Sequence, residues 1–234
     1  MKATLPGLHH VTAITGDAQQ NLDFYTSTLG LRLVKLTVNY DDPSTYHLYY
    51  GDYLGQPGTI LTFFAPGPIS RGRQGSSQVT GTALAVPAGA LGFWEKRLQA
   101  QEVPFEVETR FGAKVLAFAD PDGMRIELVE SDDIPAGQAF GPVGTDYAIR
   151  ALHSVTLSQN QPELSGRHLT DFLGFAAEGT EGARSRFRAG GDESIGRFVD
   201  VLKVDDARRP NSGAGIVHHV AFRTPDDAQE QVWL

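Results

Sequence analysis

Apolar and polar positions alternate over LHHVTAIT at 8–15, as along a strand with one buried face. A helical spacing follows at once: beyond Asp17, the apolar residues Leu22, Tyr25 and Leu29 recur at i, i+3 and i+7, and Gly30 comes next. Asp17 suits the cap of that helix and Gly30 its C-terminal stop. LRLVKLTV, YHLYY and TILTFF then read as three strands, separated by Asp-Pro and Gly-rich turns.

The same order of elements returns. GTALAVP, LHSVTLSQ and VHHVAFRT line up on LHHVTAIT, which places Thr82, Ser154 and His219 against His10 at intervals of about 70 residues. Leu173-Gly174 follows Ser154 at the distance at which Leu29-Gly30 follows His10. In the second unit GALGFWEKRLQAQ predicts a helix, and VPFEVE, AKVLAF and MRIELVE predict strands. The third has PELSGRHLTDFLG as helix and GRFVDVLKV as its closing strand. The fold class is therefore α+β, built from four βαβββ modules. Residues 131–149, rich in Pro and Gly, are expected to link a first domain at 1–130 (modules one and two) to a second at 150–234. The fourth module stops within its helix, so the sequence reads as truncated at its C-terminus.

Composition narrows the function. The net charge of -8 argues against a nucleic-acid backbone or an anionic membrane surface as partner. No apolar run approaches the roughly 18 residues of a membrane span. The N-terminus lacks the apolar core of a signal peptide. There is no cysteine, which excludes thiolate chemistry and makes the cytoplasm the expected location. Any metal must be held by nitrogen and oxygen.

His9-His10 and His218-His219 account for more than half of the seven histidines. An isolated doublet on a strand is ordinarily one packed and one exposed side chain. Two doublets at equivalent positions point instead to one metal site shared by the first and fourth modules. Strict alternation puts His10 with Thr12 on one face, and His9 on the other. A third ligand is needed. Glu127 occupies the last strand of the second module, where Thr62 and Asp200 stand in the first and third, and it is read as structural. The fourth module's equivalent would fall at about residue 264, and a carboxylate there would complete the facial set that leaves open positions on Fe(II). His47, on an aromatic strand, is expected to be packed or partly exposed. His168 is expected at the surface, and His153, followed by serine, is not expected to bind metal. SRGRQGSSQ at 70–78 reads as a flexible connection.

Four βαβββ units with histidines on their opening strands resemble the vicinal oxygen chelate superfamily, which includes glyoxalase I, bleomycin-resistance proteins and extradiol dioxygenases. LHHVTAITGDAQQNLDFY, VKLTVNYDDPSTYHLYYGD, GQPGTILTFF and GIVHHVAF look more narrowly like its ring-cleaving dioxygenases for hydroquinones. The resemblance covers the whole chain. It implies two open mixed-sheet barrels of the vicinal oxygen chelate fold, with the first unit paired to the fourth and the second to the third. It implies Fe(II), with Mn(II), Ni(II) or Zn(II) as alternatives, on His10 and His219. It also implies catalytic roles around the substrate for His9, Thr12 and His218, and in the expected reaction a nearby base such as His218 makes the substrate oxygen more anionic. The expected function is a non-haem iron extradiol-type dioxygenase acting on a small hydroxylated aromatic and dioxygen, in a homo-oligomer. A glyoxalase-type isomerase and a metal-free small-ligand binder are the alternatives.

Overall fold

The computed structural model describes residues 5–135, 137, 140–191, 195–205 and 209–233. The first module runs β1 (Gly7–Ile14), α1 (Ala18–Asp23), β2 (Arg32–Val38), β3 (Tyr46–Gly51) and β4 (Ile60–Ala65). The second runs β5 (Gln78–Pro87), α2 (Leu91–Ala100), β6 (Phe105–Arg110), β7 (Ala113–Ala119) and β8 (Arg125–Ser131). The third runs β9 (Ala151–Gln159), α3 (Pro162–Arg167), β10 (Ala176–Glu181), β11 (Arg184–Arg188) and β12 (Phe198–Lys203). β13 (Val217–Arg223) and α4 (Asp227–Trp233) belong to the fourth. The architecture is α+β, with two curled open sheets.

Their strand orders are β13-β1-β4-β3-β2 and β10-β11-β12-β9-β5-β8-β7-β6. In each module the opening strand runs parallel to the closing one, β1 with β4, β5 with β8 and β9 with β12. The opening strands then pair antiparallel across modules, β1 with β13 and β5 with β9. The sheets thus join the first module to the fourth and the second to the third. That is a different division from the one chain order makes at 131–149.

Asp17 accepts from the backbone N–H groups of Gln19 and Gln20, which caps α1. The helix widens into one π turn at Phe24–Thr28 before Leu29, and α3 does the same at His168–Phe172. Gly30, at φ +70°, ends the first; a Cβ there would stand 2.7 Å from a Val143 methyl. One apolar core runs under both sheets, from Leu8, Val11 and Tyr25 to Trp94, Leu128 and Val199. The segment at 70–78 is pinned, not loose: Arg71 and Arg73 form bridges to Ala214 and Asn211, and Arg71 donates to the Pro121 carbonyl. Backbone donors and acceptors of the 211–214 turn supply the order that its Gly- and Ser-rich composition hides.

Asp120, 5% exposed, ties the turn after β7 to the π turn that follows α1. It accepts from the backbone N–H groups of Asp122 and Met124 at 3.0 and 2.8 Å and from the Tyr25 hydroxyl at 3.0 Å. Burial outweighs these bonds and pushes its pKa from 3.8 up to about 6. The folded chain therefore holds this proton more tightly than the unfolded one, and that stabilisation is lost as pH rises through about 4 to 6. Asp120→Asn should gain on the wild type by up to about 3 kcal/mol across the same window. Urea unfolding of both proteins on either side of it checks this, and a pH-independent difference refutes it.

Candidate metal and substrate site

β1 and β13 each skip one residue where they pair. The ladder passes from Leu8 to His10 opposite Phe222 and Ala221, leaving His9 out, and from His219 to Val217 opposite Thr12 and Ala13, leaving His218 out. Both are bulges, in which two residues occupy the length of one and the extra side chain is re-aimed. Strict alternation, which sends His9 and His218 to the far face, fails here for that reason. Nδ1 of His9 lies 2.9 Å from Nδ1 of His10, Nε2 of His10 lies 3.1 Å from Nε2 of His219, and Nδ1 of His219 lies 2.9 Å from Nδ1 of His218. Four imidazoles form one continuous chain, symmetric about its middle, joining residues 209 positions apart.

The bulges also correct the alignment of the modules. β5 and β9 skip Thr80 and His153 in the same way. His10 and His219 therefore correspond to Gly81 and Ser154, and the match to Thr82 is one residue out of register. Thr82 is fully buried, as is Val11, so this threonine occupies an apolar position of the strand. His153 Nδ1 lies 3.0 Å from the Ser154 hydroxyl, the counterpart of the His9–His10 contact without a second imidazole.

Burial, reinforced by the neighbouring His9, His219 and His47, pushes the His10 pKa down to about 4. Burial first, then His218, lowers His219; burial and Arg223 lower His9. These rings are neutral at pH 7, and each carries one proton. When Nδ1–H of His10 donates to His9 and Nδ1–H of His219 donates to His218, both Nε2 atoms present lone pairs to each other. Two nitrogens 3.1 Å apart match two neighbouring ligands at about 2.1 Å from one ion. The pair fits a divalent metal, with the outer histidines fixing the tautomer as carbonyls and carboxylates do elsewhere. Among the described residues no cluster of three or more His, Asp or Glu is disposed to hold a metal.

His47 is partly exposed, as expected, and belongs to this face. Its Nε2 lies 2.8 Å from the Thr62 hydroxyl and its Nδ1 2.9 Å from the Tyr49 hydroxyl, and Thr62 bonds Thr12 at 2.8 Å. Burial, with His219 and Lys35 adding, brings its pKa to about 4. The signal was in the sequence: His47 and Tyr49 stand two apart, as Thr62 and Phe64 do. Thr12 is fully buried. Phe64 faces the rings of His47, His218 and His219, with centroids at 4.4, 5.3 and 6.4 Å. His168 is exposed and stacks on Phe172.

Glu127 lies under the other sheet, where Arg110 donates to both its oxygens at 2.7 and 2.8 Å and Arg125 donates at 2.8 Å. Burial favours its protonation, but the two guanidiniums prevail and hold its pKa below the usual range.

The model of the Glyoxalase/Bleomycin resistance protein/Dioxygenase superfamily matches residues 7–128. The chain belongs to that superfamily. A candidate ring-cleaving dioxygenase, MhqO of Bacillus subtilis (strain 168), is 45% identical over 97% of this chain and 72% of its own length. The chlorohydroquinone/hydroquinone 1,2-dioxygenase of Sphingobium indicum is 37% identical over 94% of this chain and 71% of its own. The crystal structure of a candidate dioxygenase from Bacillus subtilis superposes with a TM-score of 0.94 at 43% identity, covering all of this chain and 74% of that one. Glyoxalase I from Zea mays, at 16% identity and a TM-score of 0.69 over 97% of this chain and 77% of that one, shares the superfamily fold.

Proposed function

We propose that the chain is a metal-dependent ring-cleaving dioxygenase for a hydroquinone or similarly hydroxylated aromatic, with Fe(II) on His10 and His219. The observation that carries this is the pair of bulged doublets, which turns four histidines into one chain on a face walled by Phe64. Relatives named for hydroquinone and ring cleavage match nearly the whole chain, whereas a lactoylglutathione lyase matches 57% of it. Held by His10 and His219, Fe(II) would supply the means to activate dioxygen and a ring hydroxyl.

The chain's own residues then have definite parts. His9 and His218, accepting at Nδ1, are left with Nε2–H groups, so each offers a hydrogen bond that stabilises an ionised ring hydroxyl. In this tautomer His218 acts toward the substrate as a donor. Thr12 acts as a positioning residue through Thr62 and His47. Phe64 gives the ring an apolar surface to lie on. Ring opening of extradiol type, a cytoplasmic location and a homo-oligomer belong to the same proposal. The described helices include none long and apolar enough to cross a membrane.

Oxygen uptake decides the matter. With Fe(II) and hydroquinone the protein should consume dioxygen while the aromatic absorbance disappears. Turnover of a glutathione hemithioacetal without oxygen uptake would establish the isomerase in its place.

A further inference from the structure

The second and third modules, with Gln74 and Gly75, line an open cavity of about 410 Å³ at the place corresponding to the histidine site. Thr80 and Gly81 line it where His9 and His10 stand in the first module. Gly81 contributes no side chain, so no imidazole stands where His10 does and the room is left open. Three guanidiniums, of Arg110, Arg125 and Arg184, face two carboxylates, of Glu108 and Glu127.

These charges do not cancel. Arg110 and Arg125 each bond both Glu108 and Glu127, which closes a neutral ring of four. Asp200, behind the wall, is held by Arg186 through two bonds at 2.8 and 3.0 Å. Arg184 is the remainder. Its Nη1 donates to the Thr156 hydroxyl at 2.8 Å and reaches Asp200 only at 3.3 Å. Its Nε and Nη2 make no hydrogen bond to the described residues, although the side chain is only 13% exposed. Burial, and then the charge of Arg110, lower its pKa by more than Asp200 and Glu127 raise it. A guanidinium edge with two free N–H groups matches a carboxylate in bidentate geometry. The hydroxyls of Thr80 and Ser158 lie on the same wall, and Leu202 and Val204 give it an apolar side.

We propose that this cavity is a second ligand site, for a small organic monocarboxylate anchored by Arg184. One uncompensated positive charge calls for one negative charge, and the mixed wall suits a compact carbon body better than a bare inorganic ion. Where the first and fourth modules present neutral nitrogens to a metal cation, the second and third present a fixed cation to an anion.

Benzoate is the probe, with benzamide as its neutral counterpart, in chelator-treated protein at matched ionic strength so that the histidine pair holds no metal. Amide NMR titration should show saturable shifts at Thr80, Gly81 and Ser158 with benzoate and none with benzamide. Arg184→Ala should weaken binding by about tenfold or more. Asp200 keeps Arg186 in that variant, and Arg184→Gln, which retains a donor to Thr156, serves if the alanine variant does not fold. The proposal is overturned if benzoate does not saturate, if benzamide binds equally, if the shifts centre on the histidine pair, or if a folded Arg184 variant binds like wild type.

Discussion

Replacing His219 with alanine is expected to abolish metal binding, and His10→Ala to do the same. Each supplies one of two nitrogens 3.1 Å apart, and a single imidazole is a poor holder of a divalent ion. The outer histidines give the contrast that makes the result specific. His9→Ala and His218→Ala remove the acceptor that fixes the ligand tautomer and leave both Nε2 atoms in place, so affinity should fall by about 10–100-fold without vanishing. Metal content after dialysis, measured on all four variants, tests the ordering. Full metal occupancy in His219→Ala would remove that residue from the site, and equal losses at His218 and His219 would mean the outer ring is itself a ligand.

That ordering depends on a feature the sequence did not reveal. The doublets themselves were legible, because two identical dipeptides at matching places in a repeat are hard to attribute to packing. Which histidine faced where was not. Period-two alternation assigns His9 and His10 to opposite faces, and a bulge leaves no mark in composition. The bulge depends on the pairing of β1 with β13, a contact between residues more than 200 positions apart. The same blindness put Thr82 where Gly81 belongs. Buried threonine is polar by type and apolar by position, so matching by character slid one residue. For His47, Tyr49 is visible as a strand neighbour, but the sequence does not fix the registration of β3 on β4 that brings Thr62 to it. The sheets that join the first module to the fourth follow from the repeat only once a fold is supposed.

Glu127→Gln should separate stability from metal binding. Glu127 is 3% exposed and takes three charge-assisted bonds from Arg110 and Arg125. Neutralising it leaves two guanidiniums in the cavity with Glu108 as their remaining carboxylate, and removing one partner of a buried ion pair costs about 3–5 kcal/mol. The midpoint of urea unfolding should drop accordingly, with the slope unchanged. Metal content should stay at the wild-type level, because this carboxylate lies under the other sheet and is fully engaged. His219→Ala should show the reverse, since its half-exposed ring contributes little to the core. Loss of metal from folded Glu127→Gln would show that the two sheets share one site, and would undo the assignment of the His10–His219 pair to a site of its own.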